Sequence, residues 1–244
     1  NNVVIGDRSG IDITEEKILS VDASYIFRSS IVKARLTGYY TTIEDANEIS
    51  FYFADGVGGD NSAFVQEILQ GINKKHIGAE LGIEAQVTPT IKLKGVASVG
   101  QYTYSNNPNL YLTSSDFDTG YQDFGQSNLK DYTVADGPQQ AYSVGFEYRD
   151  PDYWFVGATT NFFSNTYLDI SPLTRTRNFY LDQDGIPFND YDPAVARELL
   201  KQEKFDDYIV VNLIGGKSWK IDDYYVGFFA SVNNLLDKEY KTGG

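Results

Sequence analysis

Residues 76–100, HIGAELGIEAQVTPTIKLKGVASVG, alternate between apolar and polar positions in two runs separated by a short break at Thr88-Pro89-Thr90. Before the break the apolar parity holds Ile77, Ala79, Leu81, Ile83, Ala85 and Val87, and the polar parity includes His76, Glu80, Glu84 and Gln86. After the break the apolar parity holds Ile91, Leu93, Ala97 and Val99, and the polar parity holds Lys92, Lys94 and Ser98. A period of two residues predicts strands, and the tight break predicts a hairpin.

The hairpin also has a predicted register. If Val87 lies opposite Ile91, then Glu84 lies opposite Lys94, and opposed residues of an antiparallel pair share a face. By the same register Ala85 lies opposite Leu93. One face is therefore apolar and the other carries paired charges, which fits a soluble sandwich over a core or a membrane barrel with its apolar face in lipid.

The lengths of the connections favour the barrel. Alternation and turn residues predict eight strands, at 18–28, 31–44, 73–88, 91–104, 140–149, 153–166, 206–219 and 224–234. Short turns at 28–30, 88–90, 150–152 and 220–223 alternate with long connections at 45–72, 105–139 and 167–205. This arrangement predicts all short turns on one rim and all long loops on the other, as in outer-membrane barrels. We predict an all-β fold, an antiparallel up-and-down transmembrane β-barrel.

Aromatic and charged residues support the same interpretation. Rings near both ends of the strands predict two interfacial girdles, although aromatics also favour strands in general. The girdle near the short turns holds Tyr25, Tyr148, Trp154, Trp219 and Tyr224, and the one near the long loops holds Tyr40, Tyr102, Tyr142 and Phe162. The parity predicted to face a wet interior carries Lys33, Arg35, Glu80, Glu84, Lys92, Lys94, Glu147 and Asn161.

Composition excludes several classes of function. The 244-residue chain has a net charge of −14, which argues against a nucleic-acid partner. It has no run of 18 apolar residues, so we expect no transmembrane helix. One histidine and no cysteine make zinc improbable. His76 has no nucleophile motif beside it, so we expect no enzyme activity and no cofactor.

The last predicted strand ends in a recognisable motif. In GFFASVNNLLDKEY, residues 227–240, the motif residues are Val232, Asn234, Leu235, Leu236, Asp237 and Tyr240. This pattern resembles the penultimate strand of TonB-dependent outer-membrane receptors, and NKKHIGAELGIEAQVTP resembles their hairpins, especially in Bacteroidetes-type members with large loops. The resemblance implies a plug domain and a barrel of about 22 strands, of which this chain is one part.

The resemblance also implies location and partners. It places residues 1–244 in the barrel of a receptor in the Gram-negative outer membrane, in contact with lipid, that imports a nutrient. A TonB-type energy-coupling partner would act through a plug that this sequence does not show, and a surface lipoprotein is a further partner. The small-molecule, glycan or peptide ligand would be met by long extracellular loops. No final strand is evident, and both ends of the eight strands fall on the long-loop rim, so we expect a piece from the middle of a larger barrel.

The long connections hold the candidate binding residues. Asp192 followed by Pro193 predicts a short helix over AVARELLKQEK, with aspartate at its N-cap. DQDG and the acids after it resemble the start of a calcium loop but lack its spacing, which leaves Asp182, Asp184 and Asp190 as a weak calcium candidate. Aromatic and polar groups that can stack against and hydrogen-bond a sugar or peptide predict a ligand site at Tyr104, Asn107, Tyr111, Asp116 and Tyr121.

Two other functions remain open on the sequence. A soluble or surface β-sheet binding module, for example one that recognises glycans, would use the same alternation over a dry core. A structural barrel or adhesin that transports nothing would use the same wall. The position of the apolar parity, in a core or free of one, distinguishes the first of these from a barrel.

Overall fold

A computed structural model describes residues 15–54, 63–180 and 192–242. Its elements follow the predicted alternation for most of the chain. The strands are β1 Lys17–Arg28, β2 Val32–Ala54, β3 Ala63–Gln86, β4 Ile91–Tyr104, β5 Asn109–Thr113, β6 Tyr121–Gln126, β7 Gln140–Arg149, β8 Trp154–Ser164, β9 Tyr208–Ile221 and β10 Tyr224–Val232. Two 3₁₀ helices span Leu173–Arg175 and Arg177–Tyr180, and helix α1 spans Pro193–Leu199.

The strands form one antiparallel sheet. Its main path runs β1-β2-β3-β4-β7-β8-β9-β10, and the short hairpin β5–β6 joins the far part of β3. In the part of the chain that the structure describes, β1 pairs only with β2 and β10 pairs only with β9. The sheet is therefore open, as expected for a portion of a larger barrel rather than a closed eight-stranded one.

The register predicted for the central hairpin is confirmed. Glu84 lies opposite Lys94, and Ala85 lies opposite Leu93. The amide of Val87 donates a hydrogen bond of 2.9 Å to the carbonyl of Ile91 across the turn.

The two faces of the sheet differ as predicted. One face, called here the inner face, holds Lys33, Arg35, Glu80, Glu84, Lys92, Lys94, Glu147 and Asn161. The opposite, outer face is apolar, and no second sheet formed by the described residues packs against it, since Ile83 and Val156 are each 40% exposed. An exposed apolar face of this extent is typical of a lipid-facing wall and excludes the sandwich.

Aromatic residues lie on the outer face at both ends of the strands, with one correction. Tyr25, Trp154 and Trp219 lie on the outer face near the short turns. Tyr102, predicted for the girdle near the long loops, is instead on the inner face because it shares the parity of Lys92 and pairs with His76. The prediction was wrong because it grouped rings by distance from the strand end and ignored alternation.

The connection predicted at 45–72 is mostly strand. β2 continues to Ala54 and β3 begins at Ala63, so the two form one long hairpin beyond the expected wall. Both faces of this extension carry apolar residues, such as Phe51 on one and Tyr52 on the other. Ile49, Phe51 and Phe53 do alternate with polar neighbours, but in the facing part of β3 apolar residues occupy both parities at 64–65 and 68–69, so a period of two is not visible there.

The other two long connections are also ordered in part. The segment predicted as loop 105–139 contains β5 and β6, which were missed because each is short. The predicted helix is confirmed as α1, with the Asp192 carboxylate accepting hydrogen bonds from the amides of Ala194, at 2.8 Å, and Val195, at 3.3 Å. No helix in the described ranges has the length and apolar character needed to cross a membrane.

Candidate ligand-binding site

The long connections pack together above the sheet around a core of their own. We call this group the rim cluster. It contains the inner side of the β2–β3 extension, the β5–β6 hairpin and the segments around 127–134 and 170–173. Its buried residues are Ala46, Ala54, Val65, Leu69, Ile72, Tyr104, Leu110, Leu112, Phe117, Phe124, Leu129, Tyr132, Val134, Ile170 and Leu173. The long connections therefore pack against one another around one shared core.

A paired bulge marks the start of the extension. Asp45 and Gly71 both have positive φ, 59° and 73°, where β2 and β3 shift their register. The Asn73 side chain accepts a 2.9 Å hydrogen bond from the Asp45 amide. The Asn106 side chain accepts one of 2.8 Å from the Asn73 amide and donates one of 2.7 Å to the Gly71 carbonyl. Amide side chains thus satisfy the backbone groups that the bulge leaves unpaired.

Two later loops are joined through one aromatic ring. The guanidinium groups of Arg175 and Arg197 lie 4.8 Å and 4.1 Å from the ring centroid of Tyr132. Arg175 also donates to the carbonyls of Ser171 and Leu200, at 2.9 Å each. Cation–π contacts of partly desolvated guanidinium groups are stabilising, so Tyr132 fixes the 105–139 loop to the 167–205 loop.

A glutamine adds a second tie between the same loops. The Gln202 side chain accepts a hydrogen bond from the Thr133 amide at 3.0 Å and donates to the Thr133 carbonyl at 2.9 Å. It donates as well to the carbonyl of Leu168 at 2.9 Å. The Gln202 side chain bonds to both backbone groups of Thr133, as a neighbouring strand would. It therefore holds the 105–139 and 167–205 loops together without a continuous sheet.

The rim cluster encloses one carboxyl group. Glu67 is only 6% exposed. The Tyr52 hydroxyl donates a hydrogen bond of 2.7 Å to it, and the Ser50 hydroxyl lies at 3.5 Å. Burial raises the pKa of Glu67, and the hydrogen bonds offset part of that effect. Burial and the bond to Glu67 also raise the pKa of Tyr52, so Tyr52 stays a donor.

Below the rim cluster, two tyrosines meet on the inner face. The hydroxyl oxygens of Tyr39 and Tyr102 are 2.6 Å apart, and the His76 ring lies 4.8 Å from that of Tyr102. Glycines at 78 and 100 leave the space that these rings occupy. Tyr39, His76 and Tyr102 thus form a polar aromatic cluster on the inner face, below the rim cluster.

The predicted ligand residues do not converge on one surface. Tyr104 is buried in the rim cluster, so it could influence a ligand only through its neighbours. The Asn107 side chain accepts a hydrogen bond from the Lys130 amide at 3.0 Å, a role within the loop. Asp116 is exposed at the turn between β5 and β6. Ligand binding by these residues stays a prediction.

Tyr111 and Tyr121 lie together on the other side of the hairpin. Tyr111 pairs with Ile68, and Tyr121 pairs with Thr113, on the outer side of the extension. That side also presents exposed aromatic residues, with Phe53 74% exposed and Phe64 packed edge-on against it at 5.5 Å. Tyr111 and Tyr121 were predicted as candidates, but their position beside Phe53 and Phe64 depends on the strand extension and was not predicted.

The weak calcium candidates Asp182, Asp184 and Asp190 lie outside the described residues. Within the described ranges, no group of three or more histidine or acidic side chains could hold a metal ion.

The motif at the end of β10 builds a turn at the rim. Asn234 has a positive φ of 52°, and its side chain both accepts from the Lys238 amide at 3.0 Å and donates to the Lys238 carbonyl at 3.1 Å. The Asn234 amide donates to the Asn212 side chain at 2.9 Å. The turn returns the chain so that Tyr240 stacks on Tyr208, with ring centroids 4.4 Å apart. Asn234 and Tyr240 therefore have a structural role here.

A cavity of about 450 Å³ opens beside this stack. Phe205, Tyr208 and Tyr240 provide aromatic walls, and both acidic and basic side chains surround them. Its volume falls within the range of ligand pockets, about 300–1,000 Å³. The complete lining is Glu203, Lys204, Phe205, Asp206, Asp207, Tyr208, Lys238, Glu239, Tyr240 and Lys241.

The sequence model of the family described as TonB dependent receptor-like, beta-barrel, matches residues 4–235. None of the characterised proteins compared by sequence matches the chain.

Two solved structures share the fold. The copper transporter OprC gives a TM-score of 0.54 at 18% identity, over 95% of this chain and 27% of OprC. FpvA of P. aeruginosa, bound to a heterologous pyoverdine and iron, gives a TM-score of 0.52 at 15% identity, over 98% of this chain and 26% of FpvA. The chain thus spans about a quarter of either protein, and the likeness concerns the fold alone.

Proposed function

Because this chain belongs to the TonB dependent receptor-like β-barrel family, we propose that it forms part of the wall of an outer-membrane receptor that imports a nutrient ligand. The observation that carries the proposal is the open antiparallel sheet, with charges on its inner face and free apolar side chains on its outer face. An open edge in lipid leaves backbone groups unsatisfied, so strands beyond β1 and β10 would complete the barrel.

The proposed receptor lies in the outer membrane of a Gram-negative bacterium and takes its energy from a TonB-type partner. The short turns then face the periplasm and the rim cluster faces the outside. The role is binding and transport rather than catalysis. The structural relatives carry copper in one case and bind pyoverdine in the other, so a small molecule is the ligand class we propose.

Ligand would be met at the long-loop rim, because lipid covers the outer wall and the short turns are too small to form a pocket. Two surfaces there are available. One is formed by the rings of Tyr111 and Tyr121, and the other is the aromatic cavity beside Tyr240. A surface lipoprotein is a proposed further partner, and the exposed aromatic side of the extension, which includes Phe51 and Phe53, would suit such a protein.

Growth on a limiting nutrient tests the transport role. Cells that express the intact receptor as their sole route for a candidate nutrient should grow, and the same cells without the TonB-type partner should not. Growth independent of that partner would contradict active import and favour a structural barrel or adhesin.

Point variants of the intact receptor test where ligand is met. Replacing Tyr111 and Tyr121 by alanine, or Tyr240 alone, should weaken uptake without lowering the amount of receptor in the membrane. Asp150 and Asp222, in short turns, provide the control, and their replacement by asparagine should leave uptake unchanged. The reverse pattern would mean that ligand enters from the other rim.

A further inference from the structure

The outer side of the extension carries a group of aromatic rings that is separate from the lipid-facing wall. We call this group the aromatic platform, and strands β2, β3, β5 and β6 form it. Its members are Phe51, Phe53, Phe64, Gln66, Tyr111 and Tyr121. Phe51 is 61% exposed, and its ring is nearly parallel to that of Phe64, with centroids 6.2 Å apart.

The platform faces away from the interior of the barrel. Residues of the opposite parity in β3, such as Val65 and Leu69, are buried in the rim cluster. Side chains alternate across a strand, so the platform lies on the other side of the extension. Neither a plug nor a solute in the lumen would lie against it.

A band of polar residues separates the platform from the lipid-facing wall. Tyr40, on the outer face of β2, lies at the end of the wall nearest the long loops. Beyond it, the outer positions of β2 and β3 hold Thr42, Glu44, Asn47, Gln70 and Lys75. Polar side chains that follow an interfacial ring fit the headgroup layer of the membrane.

The platform lies above the headgroup layer. Phe51 comes about ten strand residues after Tyr40, which is about 33 Å along a strand that rises about 3.3 Å per residue. At the usual barrel tilt of about 40°, this distance gives about 25 Å of height. The headgroup layer on each side of a bilayer is only about 5–7 Å thick. In the outer leaflet of a Gram-negative bacterium, the saccharide of the glycolipid occupies this height.

The chemistry of the platform suits neutral sugars. Aromatic faces stack against the C–H groups of a sugar ring, while amides and hydroxyls hydrogen-bond its hydroxyl groups. The Thr113 hydroxyl donates to the Gln66 side-chain oxygen at 3.3 Å, and no described residue bonds the Gln66 amide nitrogen. The hydroxyls of Tyr111 and Tyr121 likewise have no hydrogen-bond partner among the described residues. The platform holds no lysine or arginine to recognise a phosphate.

We propose that the aromatic platform binds the neutral saccharide chain of the glycolipid that surrounds the receptor in the outer leaflet. The platform continues the lipid-facing wall along the same two strands, β2 and β3, so the molecule beside it is the upper part of the lipid that covers the wall. The inference rests on the outer-membrane location given in the proposed function, and it does not require import.

Photo-crosslinking in cells identifies what covers the platform. The change Phe53→p-benzoylphenylalanine keeps an aromatic ring at an exposed position and captures neighbours under ultraviolet light. The intact receptor should shift to a ladder of adducts that an antibody against the saccharide detects and that retain the lipid anchor by mass spectrometry. The control is the same change at Phe146, on the outer face near the short turns, which should give no saccharide adduct because it faces the inner leaflet.

Three results of the crosslinking would overturn the inference. An adduct of one discrete protein at Phe53 would show that a protein partner covers the platform. Saccharide adducts without a lipid anchor would show that a free glycan is the ligand. Absence of any adduct at Phe53 would show that no neighbour lies against the platform.

Isothermal titration measures the saccharide contact without the lipid. Oligosaccharide released from the glycolipid by mild acid should bind the intact receptor in detergent. The double variant Phe51→Ala with Phe64→Ala should bind it at least about tenfold more weakly, since two stacking rings are lost. Phe27→Ala with Phe146→Ala removes two rings from the lipid-facing wall and should bind as the wild type does.

A second pair of changes separates stacking from folding. Phe51→Leu with Phe64→Leu keeps apolar side chains of similar size but loses both rings, so it should weaken binding while the receptor assembles as the wild type does. Binding equal to that of the wild type in both double variants would place the saccharide elsewhere and overturn the platform site.

Failure of this inference is distinguishable from failure of the proposed function. Growth that depends on the TonB-type partner, together with no saccharide adduct at Phe53, would keep the receptor and reject the platform site. Saccharide adducts in cells whose growth is independent of that partner would keep the site and reject active import.

Discussion

The hydroxyl groups of Tyr39 and Tyr102 meet at 2.6 Å across β3, over two glycines that leave room for their rings. A Cβ at Gly78 would lie 2.3 Å from the Tyr39 hydroxyl oxygen and 2.7 Å from the carbonyl oxygen of Val99. The carbonyl belongs to the paired strand, so it cannot move away without disturbing the ladder.

The first prediction follows from this contact. Gly78→Ala in the intact receptor should destabilise the barrel by about 1–3 kcal/mol, the usual cost of overpacking. Gly82→Ala, on the same face of the same strand but with open space around it, should cost far less. Urea-induced unfolding, followed by gel mobility without heating, measures both. Equal midpoints for the two variants would mean that the tyrosine pair does not occupy this space.

The second prediction concerns the two faces of β8. Ala158 lies on the outer face midway between Trp154 and Phe162, so Ala158→Arg should cost about 2–4 kcal/mol in the bilayer. Thr159→Arg, one residue later and on the inner face, should be milder. Unfolding from lipid vesicles gives both values. Equal tolerance would contradict the assignment of the outer face to lipid.

The third prediction concerns the joint between the loops. Tyr132 is buried between two guanidinium groups, so Tyr132→Ala should destabilise the rim cluster by about 3–5 kcal/mol. Tyr132→Phe keeps the ring and loses only a long hydrogen bond of 3.4 Å to the Leu200 carbonyl. It should cost less than about 1 kcal/mol. Hydrogen exchange of residues 127–134 and 171–177 reports the change, and protection retained in the alanine variant would show that the loops are held elsewhere.

The fourth prediction concerns pH. The pKa of Glu67 in the folded loops lies above its ordinary value of 4.5, so the folded state holds its proton to higher pH than the unfolded state. The contribution of Glu67 to stability is therefore greatest below 4.5 and falls as pH rises through the folded-state pKa, by about 1.4 kcal/mol for each unit of elevation.

Glu67→Gln removes this dependence because glutamine does not titrate. Hydrogen exchange of residues 65–69, corrected for intrinsic rates, should become less protected between pH 4 and pH 7 in the wild type and stay level in the variant. Gln66→Glu offers a nearby control with the opposite change of charge. Protection of residues 65–69 that rises with pH in the wild type would contradict the predicted direction.

The sequence by itself determined the wall of this protein. Alternation fixed the two faces, and the turn at Thr88-Pro89-Thr90 fixed the register that sets Glu84 against Lys94. The Asp192 cap located α1. These features are local, since strand parity and helix capping depend on residues a few positions apart.

The conformation and burial of the long connections depend on tertiary contacts. Tyr104 is buried in a cluster that brings together residues as distant along the chain as Ala46 and Leu173, and the inner side of the strand extension packs in the same cluster. At 64–65 and 68–69, apolar residues on both parities hid the period of two, and loop composition does not say which aromatic ring will be covered. The wall follows from neighbouring residues along the chain, whereas the rim cluster and its candidate site follow from contacts that only the folded chain brings together.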